Sequence, residues 1–149
     1  RLYRGFFLGK RSGRGFTVAA SMRRLARRGT YHHVYWGGAA YFFRRDVDLR
    51  IRSEGAVTLL DILLRYHKCC YEKYRSVSGD ELINDLDLLL GDDLFSRRKS
   101  DEIEIGEFPD FMTTFKKLGI QFLGNKPVFE EGPANGLATQ IMDPVRFDR

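Results

Sequence analysis

Apolar residues recur at helical spacing between Val34 and Ser53, and this pattern supplies the organising element of the chain. One stripe is formed by residues four, three, four and four positions apart: Trp36, Ala40, Phe43, Val47 and Ile51. On another face, opposite charges stand four positions apart, where they meet on a helix surface: Arg44 and Asp48, Asp46 and Arg50, and Asp48 and Arg52. We therefore predict a central helix over residues 34–53, around which the other elements are arranged.

Two adjacent glycines, Gly37 and Gly38, interrupt this helical pattern. Each costs about 1 kcal/mol relative to alanine inside a helix, so their presence calls for a compensation. Glycine leaves room for the close approach of another backbone or of a ligand. Tyr35 lies directly before this opening, and its phenol is therefore expected to lie beside a gap.

Two capping signals predict helices that follow the central one. Thr58 with Asp61, and Ser78 with Glu81, have the spacing of N-terminal capping boxes. The second helix is expected to end at Gly91 and to bury Leu82, Ile83, Leu86, Leu89 and Leu90. The first is apolar enough around its girth to be largely buried, with an inward face of Leu59, Leu63, Tyr66, Cys70 and Tyr74.

Two shorter helices are predicted on either side of this group. Phe16–Arg28 has the pattern of a helix that points Val18, Met22 and Leu25 inward and stops at Gly29. Phe108–Leu118 is expected to form the last helix, with Pro109 in its first turn and Gly119 at its end.

The remaining segments read as irregular or extended chain. Residues 1–15 are rich in glycine and arginine and are predicted to be loop or a flexible basic end, and residues 92–105 a loop or short helical turn. Residues 120–149 are predicted to be an extended tail with one or two short strands. The sequence thus predicts a mainly α fold: one domain over 1–149, a helical body of four to five helices over 16–119, and a short β or extended C-terminal tail.

Charge is divided unevenly along the chain. Residues 1–52 hold 13 basic and two acidic residues, whereas the remainder holds 12 basic and 18 acidic ones. Such a division favours a basic binding face, two regions that attract each other, or a basic segment that lies on a missing neighbour. The sequence does not begin with Met, so we expect a piece of a longer protein. No run is long and apolar enough for a membrane span, so no membrane partner is predicted.

The two cysteines, Cys69 and Cys70, are adjacent inside a helical pattern. Neighbouring side chains on a helix diverge by about 100°, which makes a bridge between them strained. We therefore expect two free, buried thiols, a state consistent with a reducing compartment such as the cytoplasm.

The histidines carry little metal-binding signal. No His-Glu-x-x-His or Cys-x-x-Cys motif occurs, so no metal site is predicted within this chain. His67 is expected to be a packed core residue. His32 and His33 are placed in a loop beside Tyr35, where a functional role is more plausible.

Basic residues provide the other candidate chemistry. Gly9–Gly15 is similar in composition to a phosphate-binding loop but lacks the Gly-Lys-Ser/Thr ending. A flexible basic segment is therefore the better interpretation. Four arginines of the first predicted helix could meet nucleic-acid phosphates, although a solvated helix face explains them equally simply and is favoured: Arg23, Arg24, Arg27 and Arg28.

Four short runs between residues 35 and 64 resemble a known arrangement. They are Tyr35-Trp36-Gly37-Gly38-Ala39, Arg45-Asp46-Val47-Asp48-Leu49-Arg50, Ser53-Glu54-Gly55 and Thr58-Leu59-Leu60-Asp61. The arrangement is similar to the C-terminal helical part of the catalytic region in the glycyl aminopeptidase family of zinc metallopeptidases. There a Tyr-x-x-Gly helix leads into an Asp-x-x-Leu-Arg segment, a glycine turn and a new helix start.

The resemblance implies a catalytic role for Tyr35, which would donate a hydrogen bond to the oxyanion formed at the scissile carbonyl. Gly37 and Gly38 would be the positions where the peptide substrate approaches. Zinc would be a cofactor of the parent protein only, held by its upstream catalytic part, and this chain alone is expected to be inactive.

Several residues depart from the pattern of that family, among them Gly37, His32, His33, Arg44 and Arg45. Two alternatives therefore stand beside the catalytic interpretation. Tyr35 could be a buried tyrosine in a packing seam. The whole chain could instead be a non-enzymatic binding module whose basic N-terminal third contacts an acidic protein or, less plausibly, nucleic acid.

Overall fold

The computed structural model describes residues 2–25, 30–72, 75–124, 126–130 and 132–142. Its helices are α1 (Leu2–Ser12), α2 (Val18–Met22), α3 (Tyr31–Arg52), α4 (Leu59–Cys69), α5 (Gly79–Leu90), α6 (Ser96–Lys99), α7 (Phe111–Lys117) and α8 (Pro133–Met142). Helix α6 continues into a π-helical turn, Ser100–Ile105, and two strands, β1 (Ile120–Leu123) and β2 (Lys126–Phe129), form an antiparallel hairpin. The predicted mainly α fold with a short β segment is confirmed.

Helix α3 lies at the centre, as the sequence predicts, and one of its sides faces an aromatic core. Ala40 and Val47 are fully buried there, and Trp36 and Phe43 are partly buried beside them. The rest of this core comes from α1, α7, β1 and α8: Phe6, Phe111, Phe115, Leu118, Ile120 and Ala138. Four residues of the predicted apolar stripe thus pack as expected, whereas Ile51 is exposed.

A second core lies against another side of α3. Tyr41 and Leu49 of α3 are buried in it, and the other members come from α4, α5 and the chain before α6: Ile62, Tyr66, Ile83, Leu86, Leu94 and Phe95. The Tyr41 hydroxyl donates a hydrogen bond to the Phe95 carbonyl, which satisfies the polar end of this ring. Helix α3 therefore separates two cores and belongs to both.

A buried charge joins α3 to the π-helical turn. The Arg45 side chain is only 1% exposed, and its Nη2 lies 2.8 Å from Glu102 Oε1 while its Nη1 donates to the Leu94 carbonyl at 3.2 Å. The same carboxylate oxygen lies 3.2 Å from Arg44 Nη1. Burial raises the pKa of Glu102, opposed by the nearby charges of Arg45 and Arg44. Breaking such a pair is costly because the remaining charge stays buried.

The capping signals were predicted correctly. Thr58 and Asp61 form a capping box at the start of α4, and Ser78 and Glu81 form one at the start of α5. Gly91 ends α5 in the left-handed conformation that favours glycine, with φ of 73°. The predicted charge pair Asp46–Arg50 is present at 2.9 Å, and Asp46 also accepts the Leu59 backbone N–H at 2.7 Å. This carboxylate therefore fixes the start of α4 against α3.

The interpretation of residues 1–15 as loop or flexible end is wrong, because Leu2–Ser12 form a helix. Gly5 lies against the Trp36 ring and Gly9 against the Trp36 Cβ, so closely that a Cβ at either position would overlap that side chain. A Cβ at Gly13 would lie 2.5 Å from His33 Nε2. The glycines that reduce helix propensity here permit close packing of α1 on α3, and tertiary contact overrides the local preference.

Two predicted faces are also wrong. In α2, Val18 is buried as expected, but Met22 is exposed, as is Leu25 beyond the helix. In α4, Ile62 and Tyr66 are buried whereas Leu63 is exposed, so the helix is amphipathic rather than buried around its girth. Residues 26–29 and Tyr74, on which parts of these predictions fall, lie outside the described residues.

The prediction of free, buried thiols is wrong, because Cys69 and Cys70 form a disulfide and both are exposed. The argument from helix geometry fails since α4 ends at Cys69. Cys70 already has φ of −130° and ψ of −14°, outside the helical region. The thiols therefore give no argument for a reducing compartment.

The C-terminal segment is only partly as predicted. The hairpin confirms the expected short strands, with Ile120 opposite Phe129 and Leu123 opposite Lys126. Beyond it, α8 replaces the expected extended tail and places Ala138 in the aromatic core. Gly119, predicted as the stop of α7, has φ of 67° and precedes β1 directly.

Replacing Glu102 by leucine is expected to lower the free energy of unfolding by about 3–5 kcal/mol, because Arg45 would remain buried with only the more distant Asp48 carboxylate, 3.5 Å away, beside it. Urea unfolding measures the change. The matched control is Glu104→Leu in the same turn, which removes an exposed pair with Lys99 and should change stability little. Equal losses in the two variants would contradict the role assigned to Glu102.

Candidate functional site

Tyr35, the predicted catalytic residue, lies on the surface of α3. Its side chain is 55% exposed, so the alternative of a buried tyrosine is wrong. The ring stacks on Tyr31 at 5.9 Å between centroids and meets the edge of Trp36 at 5.1 Å. Within the described part of the chain its hydroxyl makes no hydrogen bond, so the oxygen can interact with a ligand.

The two glycines differ in what surrounds them. A Cβ at Gly37 would lie 2.7 Å from Val18 Cγ2, so this glycine allows α2 to pack on α3. Gly37 is thus occupied by the chain itself, which leaves no room there for the expected substrate contact. A Cβ at Gly38 would meet no atom of the described residues within 4 Å. Since Gly38 follows Tyr35 by three positions, the open side of the helix is the one that carries Tyr35.

His33 is fully buried within α3, not in a loop as predicted. Its Nε2 lies 2.8 Å from the Glu107 carbonyl and its Nδ1 lies 2.7 Å from Ser21 Oγ. A carbonyl can only accept a hydrogen bond, so Nε2 carries the proton and Nδ1 accepts from the Ser21 hydroxyl. Ser21 is also fully buried, so this hydrogen bond joins α2 to α3, and the serine and histidine are not placed to attack a substrate.

The other two histidines are exposed. His67, expected to be a packed core residue, stacks on the Tyr71 ring at 5.2 Å on the surface of α4, and that expectation is wrong. His32 contacts the Tyr31 ring at 5.9 Å. Across the described residues, no group of three His, Cys, Asp or Glu side chains is arranged to hold a metal ion.

Of the four arginines predicted on the first helix, two belong to the described residues. Arg23 and Arg24 are exposed, and the Arg24 guanidinium lies 4.4 Å from the centre of the Phe16 ring. Arg27 and Arg28 lie outside the described residues.

The hydrogen bonds that join Ser21, His33 and Glu107 were not predicted from the sequence. The three residues are far apart in the chain, and no local spacing indicates that they meet.

Comparison with protein-family models, with curated proteins and with solved structures finds no match to this chain. Among the helices of the described ranges, none is long and apolar enough to cross a membrane.

Acid pH is expected to destabilise the fold through His33. Burial lowers the pKa of this imidazole below its ordinary value of 6.5, against the raising influence of Glu107. As pH falls through 6.5, the unfolded state therefore takes up the proton first, and the stability present above that pH is progressively lost below it.

Urea midpoints of the natural protein and of His33→Gln, measured from about pH 7.5 to about pH 5, test this sign. Glutamine keeps a donor and an acceptor but does not titrate, so it serves as the reference for all other ionisable groups. The natural protein should lose stability relative to the variant on acidification. A difference independent of pH would show that His33 does not titrate as inferred.

Proposed function

We propose that this chain is the C-terminal helical part of a zinc aminopeptidase-like protein and forms one wall of its active cleft. In this proposal Tyr35 donates a hydrogen bond to the oxyanion that develops at the scissile carbonyl. The observation that carries it is the exposed phenol of Tyr35, whose hydroxyl is unpaired within the described residues. A donor of this kind stabilises the transition state by several kcal/mol.

Neighbouring side chains hold the Tyr35 ring in place. Its ring lies between Tyr31 and Trp36, and Trp36 is itself enclosed by Gly5 and Gly9 of α1. A catalytic donor must be held close to its productive geometry by packed neighbours on a regular element. Helix α3, with two buried sides, is such an element.

Gly38 supports the same side of α3 as the substrate wall. It lies about one helical turn beyond Tyr35, and none of the described residues comes within 4 Å of where its Cβ would be. An extended peptide can therefore approach the helix backbone there without meeting a side chain. This arrangement suits a peptide whose scissile carbonyl reaches the Tyr35 hydroxyl.

Zinc does not fit within the described part of this chain, which offers no ligand group for it. The metal expected from the resemblance would belong to the upstream catalytic part. The contribution assigned to this chain is limited to substrate approach at Gly38 and hydrogen-bond donation by Tyr35.

In the full-length protein, Tyr35→Phe is expected to lower kcat by about 10²–10³-fold with a smaller effect on KM. The hydroxyl would interact strongly only when negative charge develops on the substrate oxygen, so its loss is felt in the transition state. Phenylalanine keeps the ring contacts with Tyr31 and Trp36, so Tm should not change. Steady-state kinetics on a short peptide and thermal unfolding of the same preparation give the three numbers.

Tyr31→Phe is the matched control, because Tyr31 is 62% exposed and stacks on the same ring. It should leave kcat unchanged. Equal kcat values for both variants and the natural protein would remove Tyr35 from the mechanism.

A binding module remains the second candidate function, and one observation favours it. One side of α1 presents two exposed apolar residues between two exposed basic ones: Arg4, Phe7, Leu8 and Arg11. Such a side suits an acidic protein partner with an apolar patch. This candidate predicts that no peptidase activity depends on Tyr35, so the same pair of variants separates the two functions.

A further inference from the structure

A second candidate site lies at the other end of α3 from Tyr35. A pocket of about 610 Å³ is bounded by the C-terminal half of α3, by α6 and by the end of α7. Arg45 is the nearest of its lining residues to Tyr35 along the helix, ten positions away, which corresponds to roughly 15 Å of helix axis. The pocket is therefore separate from the proposed substrate wall.

The lining of this pocket is strongly cationic. Five basic residues and one acidic residue line it: Arg45, Arg52, Arg97, Arg98 and Lys117, with Asp48. Two of the basic side chains are paired with carboxylates, Arg52 with Asp92 and Lys117 with Asp48. Ile51 and Leu94 supply the apolar part of the wall. Ile51 is exposed although it belongs to the apolar stripe of α3, so a ligand in the pocket would cover it. A cleft lined mainly by one sign of charge attracts ions of the opposite sign.

The outer arginines are held only loosely by acidic neighbours. Arg97 lies 3.5 Å from Asp93, and Arg98 lies 3.7 Å from Asp101, with the arginine side chains 58% and 60% exposed. Exposed ion pairs of this kind contribute little to stability. A bound anion can therefore take over these guanidinium groups without a large loss elsewhere.

Arg45 provides a fixed floor by contrast. Its guanidinium is anchored by Glu102 and by the Leu94 carbonyl, and its centre lies 5.4 Å from the Tyr41 ring. Its buried Nε has no hydrogen-bond partner among the described residues. Because this side chain is only 1% exposed, Arg45 contributes a fixed positive charge at the base of the pocket rather than a hydrogen bond to the ligand.

We propose that this pocket binds a phosphate group carried by a small organic molecule. Guanidinium groups bind phosphate oxygens with two parallel hydrogen bonds, and several arginines favour a doubly charged anion over a carboxylate. The apolar wall of Ile51 and Leu94 fits the organic part of the ligand. This site does not depend on the peptidase proposal.

Titration of the protein with phenyl phosphate, followed by amide NMR shifts, tests the proposal. Saturable binding is expected, with shifts at Ile51, Leu94 and Arg98. Benzoate, which carries one negative charge on the same ring, should bind about tenfold more weakly or worse. Titration with inorganic phosphate distinguishes an organic phosphate ligand from free phosphate. Tighter binding of phenyl phosphate supports an organic phosphate, whereas equal or tighter binding of free phosphate contradicts the organic ligand.

The double variant Arg97→Gln, Arg98→Gln should weaken phenyl phosphate binding by about tenfold or more, since each charged hydrogen bond contributes substantially. Arg23→Gln, Arg24→Gln is the matched control, because it removes two adjacent exposed arginines outside the pocket. The control should bind as the natural protein does. Equal weakening in both variants, equal affinity for benzoate, or no saturation by about 10 mM ligand would overturn the proposal.

Discussion

The packing of α3 on two separate cores is the constraint on which the rest of the structure depends. Val47 faces the aromatic core and Leu49 faces the second core, so the helix is covered from two directions. Arg45 lies in this covered region with only 1% of its side chain exposed, so its charge needs a buried carboxylate beside it. Glu102 supplies it from the π-helical turn, and that turn is thereby tied to the centre of the fold.

Coverage of α3 is incomplete at its two ends, and the candidate sites lie there. Near the N-terminus, α1 and α2 cover Trp36 and Gly37 but leave Tyr35 exposed. Near the C-terminus, α6 and α7 approach without closing over Ile51, which leaves the cationic pocket. A rigid helix that is uncovered near each end can hold exposed side chains in fixed positions at both ends. Both proposals rest on this arrangement, although neither requires the other.

Features that depend on residues within four positions of each other could be predicted from the sequence. The capping boxes at Thr58 and Ser78 and the helix stop at Gly91 are local hydrogen-bond and backbone effects. The stripe of α3 follows from helical periodicity in the same way. The exposure of Tyr35 does not follow from this stripe, because it depends on α1 and α2, which pack on its neighbours Trp36 and Gly37.

Features that join distant residues were out of reach. Arg45 and Glu102 are 57 positions apart, and His33 and Glu107 are 74 apart. The glycines of α1 led to a wrong prediction for the same reason. Their low helix propensity indicates a loop, but the helix is stabilised by contact with Trp36, which the local sequence does not contain.

Native-state hydrogen exchange tests the central claim, that α3 is held by both cores at once. If it is, the amides from Ala39 to Val47 open only when the whole molecule unfolds, and their exchange free energy equals the global free energy of unfolding. Amides of α4, which contributes to one core only, should exchange at least as fast. Faster exchange across Ala39–Val47 than in α4 would contradict the account, because it would show that the helix can open while one core stays folded.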